Sequence, residues 1–235
     1  VCLGDSNTFG IREDAEDAYP GQLQSLLEAH HEKPAVFYLG VPGRSSSQIL
    51  ARLPVTLRVY APDAILLTVG VNNIWNWGTE DTSDAEAPWY EGWRVAKLLR
   101  LLAYRLSGRD LVDSDSPAPT AVGERPTFVT ADPAEVEAQR TPDAEVDARL
   151  RSSLSTDLEA IAELAGAAGV ELIVMSYGAD ESAYSRANAA LRLAAEELAL
   201  PYIDHTAQVA ELVRRCGRSQ VFGSDLHPTG LGYTA

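Results

Sequence analysis

The chain has 235 residues, a length that predicts one domain with a sizeable core. Its 46% of hydrophobic and 23% of charged residues are typical of a globular protein, and no apolar run is long enough to span a bilayer. The net charge of −15 repels phosphate groups, so it disfavours nucleic acid and anionic lipid as partners.

The chain begins with Val1 and its only methionine is Met175, so we expect it to be a segment of a longer chain. Cys2 and Cys216 lie far apart in the sequence, and the prediction is two reduced, mostly buried thiols rather than a disulfide. The sequence leaves the cellular compartment and the oligomeric state open.

Short apolar segments alternate along the chain with helical patterns, which is typical of a parallel sheet with crossover helices. The predicted strands are residues 1–3, 35–39, 64–69, 170–175 and 201–203. The predicted helices are 19–31, 46–58 with a kink or break at Pro54, 144–168, 183–198 and 208–216. Together they predict a three-layer α/β/α sandwich around a parallel sheet of about five strands.

Residues 76–148 interrupt this alternation. The segment is predicted to be a long excursion from a single domain that spans residues 1–235. Within it, residues 89–106 have a helical pattern, whereas 108–141 are rich in Pro, Asp, Thr and Ala. A lid or a partner contact and a poorly ordered loop are both compatible with that composition.

A serine follows the first predicted strand, in the segment Gly4-Asp5-Ser6-Asn7. A hydroxyl at a strand end is exposed at the edge of the sheet, where ligands of α/β folds bind. Serine is a weak nucleophile until a base accepts its proton. Taken alone, the tripeptide is more typical of a helix N-cap, and the catalytic interpretation needs a base.

A histidine near the other end of the chain is the candidate base. His227 lies in a loop with Asp225 two residues before it and Pro228 after it. A histidine with a nearby carboxylate, opposite a strand-end serine, fits the nucleophile, base and orienter of a catalytic triad. The predicted catalytic residues are therefore Ser6, His227 and Asp225.

Two further strand ends carry candidate hydrogen-bond donors. Gly43 follows the second strand, and its backbone N–H can approach a ligand closely because glycine has no Cβ. Asn72 follows the third strand and offers a side-chain amide. With the N–H of Ser6, these groups form a predicted oxyanion hole.

The four segments together resemble the SGNH (GDSL-type) hydrolase family. Gly4-Asp5-Ser6 matches its nucleophile block, residues 40–43 (Gly-Val-Pro-Gly) its glycine block, residues 70–72 (Gly-Val-Asn) its asparagine block, and His227-Pro228 its histidine block. The resemblance covers nearly the whole chain outside residues 76–148. It implies a flavodoxin-like sandwich and hydrolysis of esters or thioesters through an acyl-serine intermediate.

Two positions depart from the family's pattern. Asn73 stands where the family usually has Asp, a change we expect to matter little. Ser224 stands three residues before His227, where the family's acid normally lies, and Asp225 is only two before it. Asp225 can orient His227 if the loop is rearranged; otherwise a backbone carbonyl orients the ring and the site is a Ser–His dyad.

Trp75 and Asn73 are the predicted substrate-contact residues beside Asn72. Packing of the excursion is the alternative for Trp75, and local organisation is the alternative for Asn73. No spacing predicts a metal site or a cofactor, so none is expected. The sequence thus predicts an esterase or lipase acting on a small-molecule or glycan ester. The alternatives are a catalytically impaired binding module with the same fold, an O-acyltransferase and a carbohydrate deacetylase.

Overall fold

The computed structural model describes residues 1–30, 34–75, 143–179 and 182–234. Five short strands, all parallel, form one sheet in the order β2-β1-β3-β4-β5. They are β1 Cys2–Gly4, β2 Tyr38–Gly40, β3 Ala64–Thr68, β4 Glu171–Met175 and β5 Tyr202–Ile203. The order 2-1-3-4-5 is that of flavodoxin-like folds, which confirms the predicted sheet.

Helices connect these strands. They are α1 Ser6–Phe9, α2 Tyr19–Glu28, α3 Ser46–Tyr60, α4 Val71–Trp75, α5 Asp143–Ala167, α6 Ser182–Glu197, α7 Thr206–Cys216 and α8 Arg218–Val221, followed by a 3-10 turn at Gly232–Thr234. Right-handed crossovers place α3, α5 and α6 on one face of the sheet, where α5 packs against both neighbours. The other face carries α2, which contacts the 3-10 turn. The turn contacts α8, and α8 contacts α7.

The main core lies between the sheet and the α3–α5–α6 layer. The strand β3 (AILLT) is apolar up to Thr68 at its end, as expected of a central strand covered by helices. Its fully buried side chains meet leucines and isoleucines from the helices. The fully buried leucines and isoleucines of this cluster are Leu53, Ile65, Leu67, Leu150, Leu154, Leu158, Ile161 and Leu191.

Several predicted element bounds need correction. The second strand covers Tyr38–Gly40, later than the predicted 35–39. The helix α3 continues through Pro54 to Tyr60, although a proline there lacks the N–H for one helical hydrogen bond. Both cysteines are free, but only Cys2 is buried, because Cys216 ends α7 in an exposed position.

The predicted excursion at 76–148 lies mostly outside the described residues, as does the helical pattern at 89–106. Its last residues, from Asp143, are already part of α5. All described residues belong to one compact unit. The prediction of a single domain over the whole chain stays a prediction.

Candidate active site

The strand β1 ends where the sheet reverses its strand order, and α1 begins immediately after it. The chain runs from β1 outward to β2 and then across to β3, so the carboxyl ends of β1 and β3 flank the switch point of the sheet. A Cβ on Gly4 would lie 2.0 Å from Oγ1 of Thr8, so glycine is needed for this tight strand-to-helix turn. The turn places Ser6 at the start of α1.

The Ser6 hydroxyl contacts the predicted base. Its Oγ lies 2.8 Å from Nε2 of His227, across 221 residues of sequence. That distance is within hydrogen-bond range for a serine and an imidazole. The structure therefore brings together the two residues that the sequence analysis predicted as nucleophile and base.

The carboxylate of Asp225 lies on the far side of the imidazole. Its Oδ2 is 3.3 Å from Nδ1 of His227 and 3.1 Å from Nε of Arg12. Among the described residues, neither His227 Nδ1 nor Asp225 Oδ1 has a hydrogen-bond partner, although both atoms are buried. The acid is thus close enough to act electrostatically on the ring but is not aligned for a hydrogen bond.

Leu226 explains how an acid only two residues before the histidine reaches the ring. Its φ is +66°, in the left-handed region that non-glycine residues rarely adopt. Backbone hydrogen bonds from Gly223 N–H to His227 and from Leu226 N–H to Gly223 close the loop around this residue. Ser224, at the position of the family's usual acid, is exposed.

The predicted oxyanion-hole residues lie at the ends of the neighbouring strands. Gly43 follows β2 with φ of +77°, and a Cβ there would meet nothing within 4 Å, so its backbone conformation rather than space favours glycine. Asn72 lies in α4 after β3 and is half-buried. Its Nδ2 donates to Oδ2 of Asp5 at 3.0 Å.

Asp5 is the N-cap of α1, as the tripeptide that contains it predicts. Its Oδ1 accepts the N–H of Asn7 at 2.9 Å. The same carboxylate also accepts the hydroxyl of Tyr177 at 2.7 Å and the amide of Asn72. Burial raises the pKa of the Asp5 carboxyl, while the hydrogen bonds and the nearby His227 act in the opposite direction.

The side chain of Asn73 is buried and forms hydrogen bonds with residues of other helices. Its Oδ1 accepts the N–H of Ser46 at 3.0 Å, and its Nδ2 donates to the Ser46 hydroxyl at 2.6 Å and to Ser153 at 3.3 Å. The prediction of substrate contact is corrected here, because both ends of the amide tie α4 to α3 and α5. The side chain of Trp75, the other predicted substrate contact, lies outside the described residues.

Beside the contact between Ser6 and His227, a cavity of about 120 Å³ opens at the ends of β3, β4 and β5. Asn7 and Pro228, the residues that follow the serine and the histidine, line it together with Thr68, Tyr177, His205 and Tyr233. The Nδ1 of His205 lies 3.0 Å from the Ser176 hydroxyl, and burial lowers the pKa of this histidine. His205 thus belongs to a second serine–histidine contact, separate from Ser6.

Comparison with known protein families identifies the family of this chain. A model of the GDSL-like lipase/acylhydrolase family matches residues 2–235. The chain belongs to this family. The match confirms the family resemblance found in the sequence.

Individual relatives of this GDSL-family chain are distant. An arylesterase of Vibrio mimicus is 32% identical over 73 residues, which are 31% of this chain and only 36% of that protein. The esterase EstA of Pseudoalteromonas sp. has a TM-score of 0.56 at 14% identity, over 99% of this chain and 88% of its own. The acetylxylan esterase Axe2 of Geobacillus stearothermophilus has a TM-score of 0.54 at 16% identity, over 99% and 87%. At such identities the solved structures establish the shared fold.

No described helix of this GDSL-family chain is long and apolar enough to cross a membrane. Within the same residues, no group of three or more His, Cys, Asp or Glu side chains could hold a metal ion.

Two residues of the site, Arg12 and Tyr177, were not predicted from the sequence. Arg12 has φ of +72° and reaches Asp225 from the loop after α1. Tyr177 follows β4, which in a parallel sheet is itself a signal, since strand ends meet at one edge. Neither residue belongs to the four segments that carry the family resemblance.

Proposed function

We propose that this protein is a serine hydrolase that cleaves carboxylic esters through an acyl-serine intermediate. The observation that carries the proposal is the 2.8 Å contact between Ser6 Oγ and His227 Nε2 at the switch point of the sheet. A hydroxyl in contact with an imidazole is the pairing that activates a serine nucleophile.

In the first half-reaction, His227 Nε2 accepts the hydroxyl proton as Ser6 Oγ bonds to the carbonyl carbon of the ester. The carbon–oxygen bond to the alcohol then breaks, and the imidazolium gives its proton to the leaving oxygen. Asp225, 3.3 Å from Nδ1, stabilises the imidazolium that exists between these two transfers.

The negative charge on the carbonyl oxygen is held by the N–H of Ser6, the N–H of Gly43 and the amide of Asn72. These groups follow the carboxyl ends of three adjacent strands, which is the edge of the sheet where ligands of such folds bind. Removal of one such donor typically costs about 3–4 kcal/mol of transition-state stabilisation.

In the second half-reaction, water bonds to the acyl carbon while His227 accepts its proton, and the proton passes to Ser6 Oγ as the acyl group leaves. A sugar hydroxyl in place of water would make the enzyme an acyltransferase by the same route. We favour hydrolysis of small or glycan esters because the relatives include an arylesterase and an acetylxylan esterase. The charge of −15 disfavours strongly anionic substrates.

Turnover of p-nitrophenyl acetate, an activated aryl ester, tests the proposal. Ser6→Ala is expected to lower kcat at least about 10³-fold, since the nucleophile is lost. Reaction with a fluorophosphonate, followed by peptide mapping, is expected to add one label at Ser6. The solved structure of EstA shows that esterase inhibited by monoethylphosphonate, so a phosphonate reagent is a suitable probe for a protein of this fold.

Ser176→Ala is the matched control, because Ser176 is the other serine in contact with a histidine, at 3.0 Å from His205 Nδ1. That variant is expected to keep wild-type turnover and labelling. A folded protein without turnover or label at Ser6 would instead be a binding module. Undiminished turnover in Ser6→Ala would place the reaction at another site or in a contaminant.

A further inference from the structure

The carboxylate beside the nucleophile receives more hydrogen bonds than a helix cap requires. Asp5 has 0% of its surface exposed. It accepts the N–H of Asn7 at 2.9 Å, the Asn7 amide at 3.3 Å, the Asn72 amide at 3.0 Å and the Tyr177 hydroxyl at 2.7 Å. One side chain thus ties together the segments that follow β1, β3 and β4.

All four partners are donors, so the Asp5 carboxyl acts only as an acceptor. An acceptor-only role matches the ionised form, which has two oxygens and no proton to donate. Burial and the neighbouring Asp5 also raise the pKa of the Tyr177 hydroxyl, which keeps this hydroxyl protonated and able to donate.

The contact with Asp5 decides which end of the Asn72 amide points toward it. An amide offers two N–H groups at its nitrogen and only acceptor lone pairs at its oxygen. Rotation of the amide by half a turn would set its oxygen against Asp5 Oδ2, and two acceptors repel each other. With one N–H held by the carboxylate, the second N–H remains for another partner.

We propose that Asp5 is a positioning residue that holds the Asn72 amide in its donating orientation, with Tyr177 holding Asp5 in turn. This inference rests on the proposed function, since it assigns the second N–H of Asn72 to the developing oxyanion. Tyr177 donates to the same oxygen, Oδ2, that accepts from Asn72, so it fixes that oxygen in place. Preorganised donors of this kind stabilise a transition state more than a bound substrate.

The test is a double-mutant cycle on p-nitrophenyl acetate turnover. In Asp5→Asn one carboxylate oxygen becomes an NH2 group that faces donors, so kcat is expected to fall about 50- to 500-fold with KM changed less than about threefold. Tyr177→Phe removes one donor and is expected to lower kcat about fivefold. In an Asn72→Ala background, each change is expected to cost less than about twofold, because the amide they orient is gone.

Two controls separate positioning from general damage. Tyr202→Phe removes a tyrosine hydroxyl that donates to the Asn188 carbonyl, and Asp157→Asn alters a carboxylate bound to the Ser46 hydroxyl. Both are expected to leave kcat within about twofold of wild type. Affinity for a boronic acid, which forms a tetrahedral adduct with the serine, should fall in parallel with kcat in Asp5→Asn.

Each result has a defined meaning. Equal fold-losses of kcat in the wild-type and Asn72→Ala backgrounds would overturn the inference while leaving the ester hydrolase intact. Should Asp5→Asn not fold, as judged by thermal unfolding, the cycle between Tyr177→Phe and Asn72→Ala gives the same decision. A wild-type protein without Ser6-dependent turnover would instead defeat the proposed function itself.

Discussion

The two halves of the candidate site are built differently. On the nucleophile side, Asp5, Ser6 and Asn7 are all less than 10% exposed, and Asp5 is held by four hydrogen bonds. On the base side, the side chains of Asp225 and Arg12 are 29% and 60% exposed. There, Nδ1 of His227 has a carboxylate nearby but no hydrogen-bond partner within the described residues.

This difference indicates that the nucleophile side is the half of the site that must be rigid. In the proposed mechanism, negative charge develops on the nucleophile side, where fixed donors act without reorganisation. The base has to accept and release a proton, which tolerates a less exact partner for the far ring nitrogen. The left-handed Leu226, which costs roughly 1–2 kcal/mol, is the local strain that accompanies the acid's unusual position. We therefore expect substitutions to have larger effects on the nucleophile side.

Beyond Ser6 itself, the largest effect on kcat is expected from Asn72→Ala, on the nucleophile side. Loss of one fixed oxyanion donor should lower kcat about 10²- to 10³-fold, roughly 3–4 kcal/mol, with KM nearly unchanged. Steady-state kinetics on p-nitrophenyl acetate measures both constants. A loss in kcat of less than about fivefold would mean that the fixed donor contributes little to catalysis. The expected difference between the nucleophile side and the base side would then be wrong.

On the base side, Asp225→Asn is expected to cost about 10- to 50-fold in kcat. A triad with a well-formed acid–histidine hydrogen bond loses about 10⁴-fold on the same kind of change, but here the 3.3 Å contact lacks that bond. Ser224→Ala, at the exposed neighbour, is the control and should be neutral. A loss near 10⁴-fold would show an acid as firmly placed as the oxyanion donors, whereas no loss would show a Ser–His dyad.

The residues on the nucleophile side were easier to predict from the sequence than the contacts on the base side. Ser6, Gly43 and Asn72 follow strands whose apolar runs are recognisable, so the rule that parallel strands end at one edge brings them together. Asp225 is different, because its distance from His227 depends on the left-handed φ of Leu226, which no local residue preference predicts. Arg12 is a loop residue whose contact with Asp225 joins distant parts of the chain.

Elements with a long, regular apolar pattern were easier to predict than features that depend on contacts with other parts of the chain. The bounds of α5 and β4 were nearly correct because their apolar patterns are long and regular. The helix α3 continues past Pro54: its first half has the Ser45–Gln48 capping box and buried Ile49 and Leu53, and its second half has buried Thr56 and a C-cap in which the Ala61 N–H donates to the Leu57 carbonyl. The contacts of Asn73 could not be predicted from the sequence, since the two serines that bind it lie on α3 and α5.

A smaller effect on the base side is expected from Arg12→Gln. The guanidinium shares Asp225 Oδ2 with His227 and opposes the imidazolium that forms during the reaction. Because Arg12 is exposed, solvent screens its charge, so kcat should rise only about two- to threefold. Arg12→Lys retains the charge and should match the wild type. A loss of activity in Arg12→Gln would mean that the arginine holds the acid in place.

The smallest effect concerns stability rather than turnover and lies outside both halves, at His205. Burial lowers the pKa of His205 below its ordinary value of 6.5, so the unfolded chain binds the proton more strongly than the folded one. The free energy of unfolding should therefore fall as pH drops from about 6.5 through the folded-state pKa, by at most about 1.4 kcal/mol per pH unit. Urea unfolding at pH 7.5 and 5.5 measures this loss.

His205→Gln should make the loss between the two pH values smaller, because the group that titrates is removed while an amide can still reach Ser176. His30→Gln, at an exposed histidine just after α2, is the matched control and should keep the wild-type loss. Turnover at pH 7.5 should be unchanged in both variants, since neither histidine contacts Ser6. If His205→Gln instead abolished turnover, the cavity that His205 shares with Asn7 and Pro228 would belong to the active site, and the division into two halves would have to include it.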